Sequence, residues 1–176
     1  MKDKKDLNIE DARERLTKCL NRNTFYQSRE FSYKNIKPKI IAEPYLEDDQ
    51  YWELRDYKFF TFDGEVKLMF IATNRNRTSE TCFDFFDKNF NHLNIINWHP
   101  NTSKIPEKPI NYEKMIKFSE VLSKIWDKKI PHLRVDFYEM NWKLFFGELT
   151  FYHRSWMVPF KPEEWDYKLW NYIKSI

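Results

Sequence analysis

The sequence predicts an α+β domain, an antiparallel sheet carrying two or three packed helices. Two hairpin signals and three helix-start signals support that expectation. Residues 57–62 and 66–73 flank Asp63-Gly64, a dipeptide suited to the positive φ values of a tight hairpin turn. Residues 132–139 and 143–151 form a second pair of alternating apolar stretches. Asn8, Asn111 and Pro162 each precede apolar residues at helical spacing.

Along the chain, Asn8 caps the first helix, with Glu10 and Asp11 in its first turn. Ile9, Ala12, Leu16, Cys19 and Leu20 form its apolar stripe. Residues 21–37 are polar and aromatic and read as a loop. Residues 39–45, KIIAEPY, read as a short buried strand ending at Pro44, and residues 81–86 as another strand. Pro100, Pro106 and Pro109 make 97–109 a loop. Asn111 opens a helix expected to turn Met115, Phe118, Leu122, Ile125 and Trp126 inward. Pro162, Glu163 and Glu164 start a last helix with Trp165, Leu169, Tyr172 and Ile173 on its apolar side.

Composition excludes several function classes. At 176 residues the chain suits one domain with a substantial core. Its net charge of +3 balances 30 basic against 27 acidic residues, and without a dense basic block no nucleic-acid partner is expected. Cys19 and Cys82 are far apart without metal-ligand spacing, which points to a reducing, cytoplasmic setting and no disulfide framework. The charged N-terminus lacks an apolar signal core, and no window is long and apolar enough for a membrane span. With Gly64 and Gly147 as the only glycines, a glycine-rich phosphate loop is excluded within this chain. A nucleotide would have to be held by side chains and a strand edge.

The second hairpin carries Arg134, Asp136 and Glu148 in mid-strand. Alternation puts Arg134, Asp136 and Tyr138 on one face and Leu133, Val135 and Phe137 on the other. A three-residue loop, 140–142, would pair Glu139 with Lys143, set Arg134 opposite Glu148 and leave Asp136 diagonal to it. Diagonal neighbours lie roughly 7–8 Å apart. Two carboxylates there suit a hard cation such as Mg²⁺, which completes its shell with water and phosphate oxygens. Arg134 offers a planar fork to phosphate, Thr150 a hydroxyl, and Gly147 an uncrowded face. A cross-strand ion pair on an exposed face accounts for the same charges. The four histidines, His92, His99, His132 and His153, show no triad spacing. Trp52, Trp98, Trp142 and Trp156 could stack on sugar rings, although most of the aromatics are expected to fill a core.

The stretch RVDFYEMNWKLFFGELTF, residues 134–151, resembles the metal-binding hairpin of ATP-grasp enzymes. KIIAEPYL, LRDYKFFTFDGEVKLMFIATNR and the run from HLRVDFYEM through GELTF to PFKPEEWD resemble, in order, the teichuronopeptide-biosynthesis (TupA-like) branch. The resemblance implies an ATP-grasp C-terminal subdomain, with residues 1–176 a single partial ATP-grasp domain whose N-terminal lobe has no counterpart here. It implies Mg²⁺ and ATP as cofactors. Residues 41–46 would be the hinge strand against adenine, with Glu43, Tyr45 and Leu46 as contacts. Asp56 and Lys58 would face nucleotide or substrate, Arg134 the transferring phosphoryl group, and Asp136 and Glu148 the metal. Thr150 stands where the wider superfamily usually has an Asn ligand. The implied activity is carboxylate–amine ligation through an acyl phosphate in cell-surface polysaccharide biosynthesis. The acceptor would be a sugar acid or an amino-acid-bearing polymer, and a second chain could supply the missing lobe. Many relatives in this branch are labelled glycosyltransferases. The alternatives are a non-catalytic truncated fragment and a carbohydrate-binding module.

Overall fold

A computed structural model describes residues 5, 7–44, 46, 53–75, 80–125 and 130–174. The chain divides into two compact units, Met1–Leu46 and Glu47–Ile176. In the first, helix α1 spans Ile9–Leu20, and the Asn8 side chain accepts from the backbone N–H groups of Glu10 and Asp11 at 3.1 Å each. Helix α2 (Phe25–Ser28) and a single 3-10 turn (Phe31–Tyr33) follow. Residues 39–44 do not form the expected buried strand. They are irregular, with Ile40 and Ile41 exposed. A strand needs a partner for its backbone groups, and the described part of this unit contains no other strand. Pro38 and Pro44 also contribute no N–H donor. Leu16, Leu20, Tyr33, Ile36, Ile40 and Ile41 help line a recess of about 360 Å³ within this unit.

The second unit is built on one antiparallel six-stranded sheet of order β4-β3-β2-β1-β5-β6. Its strands are β1 (Asp56–Phe62), β2 (Glu65–Thr73), β3 (Cys82–Phe86), β4 (His92–Leu93), β5 (His132–Met140) and β6 (Lys143–Thr150). The first hairpin turns as expected, with φ of 49° at Asp63 and 76° at Gly64. Alternation along the strands supplies two cores. On one face Tyr57, Phe59, Met69, Ile71, Val135 and Phe137 pack with helix α3 (Tyr112–Lys124). On the other, Phe60, Phe62, Leu68, Phe70 and Phe85 pack with helix α4 (Glu164–Lys174) through Leu169, Trp165, Tyr172 and Ile173, as expected. Each buried Phe or Leu contributes about 1.5–3 kcal/mol of transfer free energy, so the aromatic-rich strands dominate stability.

Helix α3 turns only part of its expected face inward: Met115 is buried and Leu122 packs against the core. Tyr112, Met115, Ile116, Ser119 and Ser123 are buried, whereas Phe118 and Ile125 are exposed; Trp126 lies outside the described residues. Small serines on the sheet-facing side allow close approach. Their hydroxyls stay satisfied by donating to the carbonyls of Met115 and Glu120, at 2.8 and 3.0 Å. Asn111 does precede α3, but its side chain makes no cap; it donates instead to the Trp142 carbonyl at 2.9 Å.

The second hairpin also differs. Its turn has two residues, Asn141 and Trp142, with φ of 49° and 67°, and Met140 pairs with Lys143. Positive φ at both positions matches the twist of the flanking strands better than a three-residue loop does. Continued unbroken, this register would put Glu148 opposite Val135, on the apolar face. A bulge prevents that: Phe137 pairs with Phe146, but Val135 pairs with Leu149 and Arg134 with Thr150. The extra β6 residue falls at Gly147-Glu148, beside Asp136, and returns Glu148 and Thr150 to the face of Arg134 and Asp136.

Candidate functional site

The polar cluster forms where β1, β5 and β6 run side by side. The β1–β5 register sets Lys58 directly opposite Asp136, Asp56 opposite Tyr138 and Phe60 opposite Arg134. Period-two alternation therefore puts Asp56, Lys58, Arg134, Asp136, Glu148 and Thr150 on one face of the sheet, next to the aromatic core of Phe60, Phe62 and Phe70.

These charges are not on a wet face. Asp56 and Asp136 are each 1 % exposed and Arg134 7 %, while Glu148 stays largely open to solvent. Burying charges is costly unless they are paired and hydrogen-bonded. Here they form a continuous chain. Arg75 Nη1 donates to Asp56 Oδ2 at 2.7 Å, and Lys58 Nζ bridges Asp56 Oδ2, also at 2.7 Å, to Asp136 Oδ2. Arg134 grips Asp136 with both ends of its fork, Nε to Oδ1 at 2.7 Å and Nη2 to Oδ2 at 2.8 Å. The same Nη2 lies 3.0 Å from Glu148 Oε1 and 2.8 Å from Thr150 Oγ1. Thr150 Oγ1 in turn donates to Glu148 Oε1 at 3.3 Å.

Beyond Arg134 the chain continues through a histidine that the sequence did not single out. Arg134 Nη1 donates to His153 Nδ1 at 2.9 Å. A guanidinium only donates, so Nδ1 must be the bare nitrogen and Nε2 carries the proton. Nε2 then donates to Asn97 Oδ1 at 3.0 Å, and Asn97 Nδ2 donates to the carbonyls of Val158 and Pro159. His153 is held neutral, its pKa well below 6.5, by burial first and by the Arg134 charge second. His132 plays a core role: its Nδ1 donates to the Thr61 carbonyl at 3.0 Å, and burial lowers its pKa to about 3.

Two features make the cluster acceptor-rich. Arg134 Nη2 has two hydrogens but three acceptors within 3.0 Å. The buried Asp56 Oδ1 has no hydrogen-bond partner among the described residues. Burial raises the Asp56 carboxyl's pKa, opposed by Lys58. Glu148 is also raised, by desolvation first and by repulsion from Asp136 next. A divalent cation between Asp136 and Glu148 would relieve their like-charge repulsion, and these two carboxylates are the residues that would hold it; Asp136 would share its oxygens with Arg134 and Lys58, and Glu148 is the more open ligand. Among the described residues no group of three or more His, Cys, Asp or Glu side chains gathers as a metal set, so such an ion would depend on water and phosphate oxygens for the rest of its shell.

The structure thus brings together Asp56, Lys58, Arg134, Asp136, Glu148 and Thr150. Glu43, exposed and in irregular chain, and Leu46 belong to the first unit, and Tyr45 lies outside the described residues. His153 and Asn97 are the members missed; their bonds span 19 and 56 residues of chain and follow no periodic signal. No curated protein and no solved structure matches the chain. The family model described as TupA-like ATPgrasp matches residues 1–174, and the α+β architecture fits the C-terminal subdomain of that fold, so the chain belongs to the TupA-like ATP-grasp family.

Proposed function

We propose that this chain uses the Arg134–Asp136–Glu148 cluster to bind Mg-ATP and to take part in ATP-dependent carboxylate–amine ligation, with a sugar acid or amino-acid-bearing acceptor of cell-surface polysaccharide biosynthesis, in the cytoplasm. The observation that carries it is the convergence of Asp136 and Glu148 on one guanidinium nitrogen, Arg134 Nη2, at 2.8 and 3.0 Å. Bound Mg²⁺ would neutralise triphosphate charge. Arg134, held in place by Asp136, Thr150 and His153, would meet the charge that develops on the transferred phosphoryl group. Lys58 and Arg75 steady the buried Asp56 and Asp136.

The reaction balances in two steps. A carboxylate oxygen of the acceptor attacks the γ-phosphorus, the bond from that phosphorus to the β-phosphate bridging oxygen breaks, and ADP leaves. An amine nitrogen then attacks the acyl carbon, the carbon–oxygen bond to phosphate breaks, and the amine gives up a proton as the amide forms. Isothermal titration with Mg-ATP tests the proposal. Asp136→Asn and Glu148→Gln are each expected to weaken Mg-ATP binding at least tenfold. Unchanged affinity in both variants rules out the metal assignment.

A further inference from the structure

Two dipeptides meet beside Arg134. In Asn97-Trp98 and His153-Arg154 the first residue of each is buried, Asn97 at 0 % and His153 at 2 % exposure, and the two are hydrogen-bonded to each other. The second residue of each points outward. Trp98 is 64 % exposed, and the Arg154 guanidinium carbon sits 5.3 Å from the Trp98 ring centre and 6.0 Å from that of Phe83. Both outward residues have positive φ, 69° at Trp98 and 48° at Arg154. That conformation is costly for bulky L-residues and persists where surrounding structure enforces it, as at ligand sites.

Arg154 differs from the other cations of this region. Arg75, Lys58 and Arg134 each face a carboxylate. The Arg154 side chain makes no ion pair or hydrogen bond with a described residue; its guanidinium stacks on Trp98 and Phe83. Partial burial and the nearby Arg134 charge both disfavour its protonated form, which is the environment of a cation awaiting an anion. The exposed indole supplies an apolar face of the sort on which ring C–H groups pack.

We propose that Trp98 and Arg154 form the acceptor subsite, with the Arg154 guanidinium taking the carboxylate of a sugar acid and the Trp98 indole stacking on its pyranose ring. The word acceptor rests on the ligase reading above; the binding itself does not. The buried Asn97–His153–Arg134 chain fixes this subsite to the phosphoryl-binding guanidinium, which sets the carboxylate beside the group it would receive.

The test is saturation-transfer NMR and isothermal titration of the full chain without nucleotide, using glucuronate, glucose, glutarate and inorganic phosphate as probes. Glucuronate is expected to bind, with ring protons saturated from the protein. Glucose, which lacks the carboxylate, and glutarate, which lacks the ring, are expected to bind at least tenfold more weakly. Arg154→Gln and Trp98→Ala should each weaken glucuronate binding at least tenfold. Arg154 is exposed, so Arg154→Gln decides the matter alone if Trp98→Ala fails to fold. The proposal is overturned by absent glucuronate binding, by glucose or glutarate binding as tightly, by affinity unchanged in Arg154→Gln, or by inorganic phosphate competing at equal concentration, which would make Arg154 a phosphate site. A separate Mg-ATP titration of the unaltered chain keeps the two readings apart. Glucuronate binding without Mg-ATP binding retains the subsite and removes the ligase; the converse result retains nucleotide binding and removes the subsite.

Discussion

Arg134 spends all three of its nitrogens inside the protein, on Asp136, Glu148, Thr150 and His153. Of these partners His153 is the one whose contribution separates cleanly from metal binding, because it touches Arg134 from the Nη1 side. Replacing His153 by Leu would leave the Arg134 Nη1 donor and the Asn97 Oδ1 acceptor buried and unmatched. Leaving a buried polar group unpaired costs roughly 1–3 kcal/mol, and more next to a charge, so His153→Leu should destabilise the fold by about 3 kcal/mol. His153→Gln offers one acceptor and one donor and should lose less than half as much. Urea unfolding of both variants measures this. A loss below about 1 kcal/mol in His153→Leu would mean that the bond is not formed as described.

At the scale of the element, the β6 bulge decides what the site contains. Gly147 is tight for a side chain: an added Cβ would lie 3.0 Å from the Asp136 carbonyl oxygen and 3.2 Å from Tyr138 Cε2, so its neighbours would have to give by a few tenths of an ångström. The carbonyl belongs to Asp136, whose backbone is paired with Lys58 of β1, which limits how far it can give way. Gly147→Ala should therefore destabilise by about 1–3 kcal/mol, the range for overpacking, and weaken Mg-ATP binding by shifting Glu148. Stability unaffected by Gly147→Ala would show that the bulge is soft. The same element shows where sequence reasoning reaches and where it stops. Arg134, Asp136 and Glu148 were placed correctly on one face, because period two is rigid. The pairing differs from the expected one: in place of a three-residue loop with Arg134 opposite Glu148, a two-residue turn and a compensating bulge set Arg134 opposite Thr150 and give the same parity. The isolated glycine inside an alternating strand was the available signal for that bulge. The orientation of α3 is legible only in part, since Met115 and Leu122 face the core and Phe118 and Ile125 do not. Its exposed Phe118 and Ile125 outweigh Ser119 and Ser123 in any hydrophobic count, yet closeness of approach favoured the serines. The strand expected at 39–45 failed because a β-strand is a property of a pair.

The second unit holds His132 on β5 and His153 just after β6 in neutral form, and burial also lowers the pKa of His99, so global stability depends on pH. His132 has its pKa lowered from 6.5 to about 3 by burial, and His153 lies well below 6.5 through burial and the charge of Arg134. In the unfolded chain both imidazoles take up a proton near pH 6.5. As pH falls below that value the unfolded state binds more protons than the folded state, so stability is lost, and the loss continues until the folded pKa values are reached. Each histidine contributes about 1.4 kcal/mol per pH unit once well below 6.5, so the two together approach about 2.7 kcal/mol per unit. Asp56 and Glu148 work in the opposite direction. Their carboxyls are raised in the folded state, so the folded chain takes up those protons first and gains stability as pH falls through the raised values. The histidine effect begins at higher pH and should therefore govern the interval just below 6.5. Urea midpoints at pH 7.5, 6.5 and 5.5 are expected to fall with acidification, and His153→Gln, which removes one of the neutral buried rings, should make the slope shallower. A flat or rising profile would place the protons on the folded histidines, contradicting the bare Nδ1 that Arg134 requires of His153.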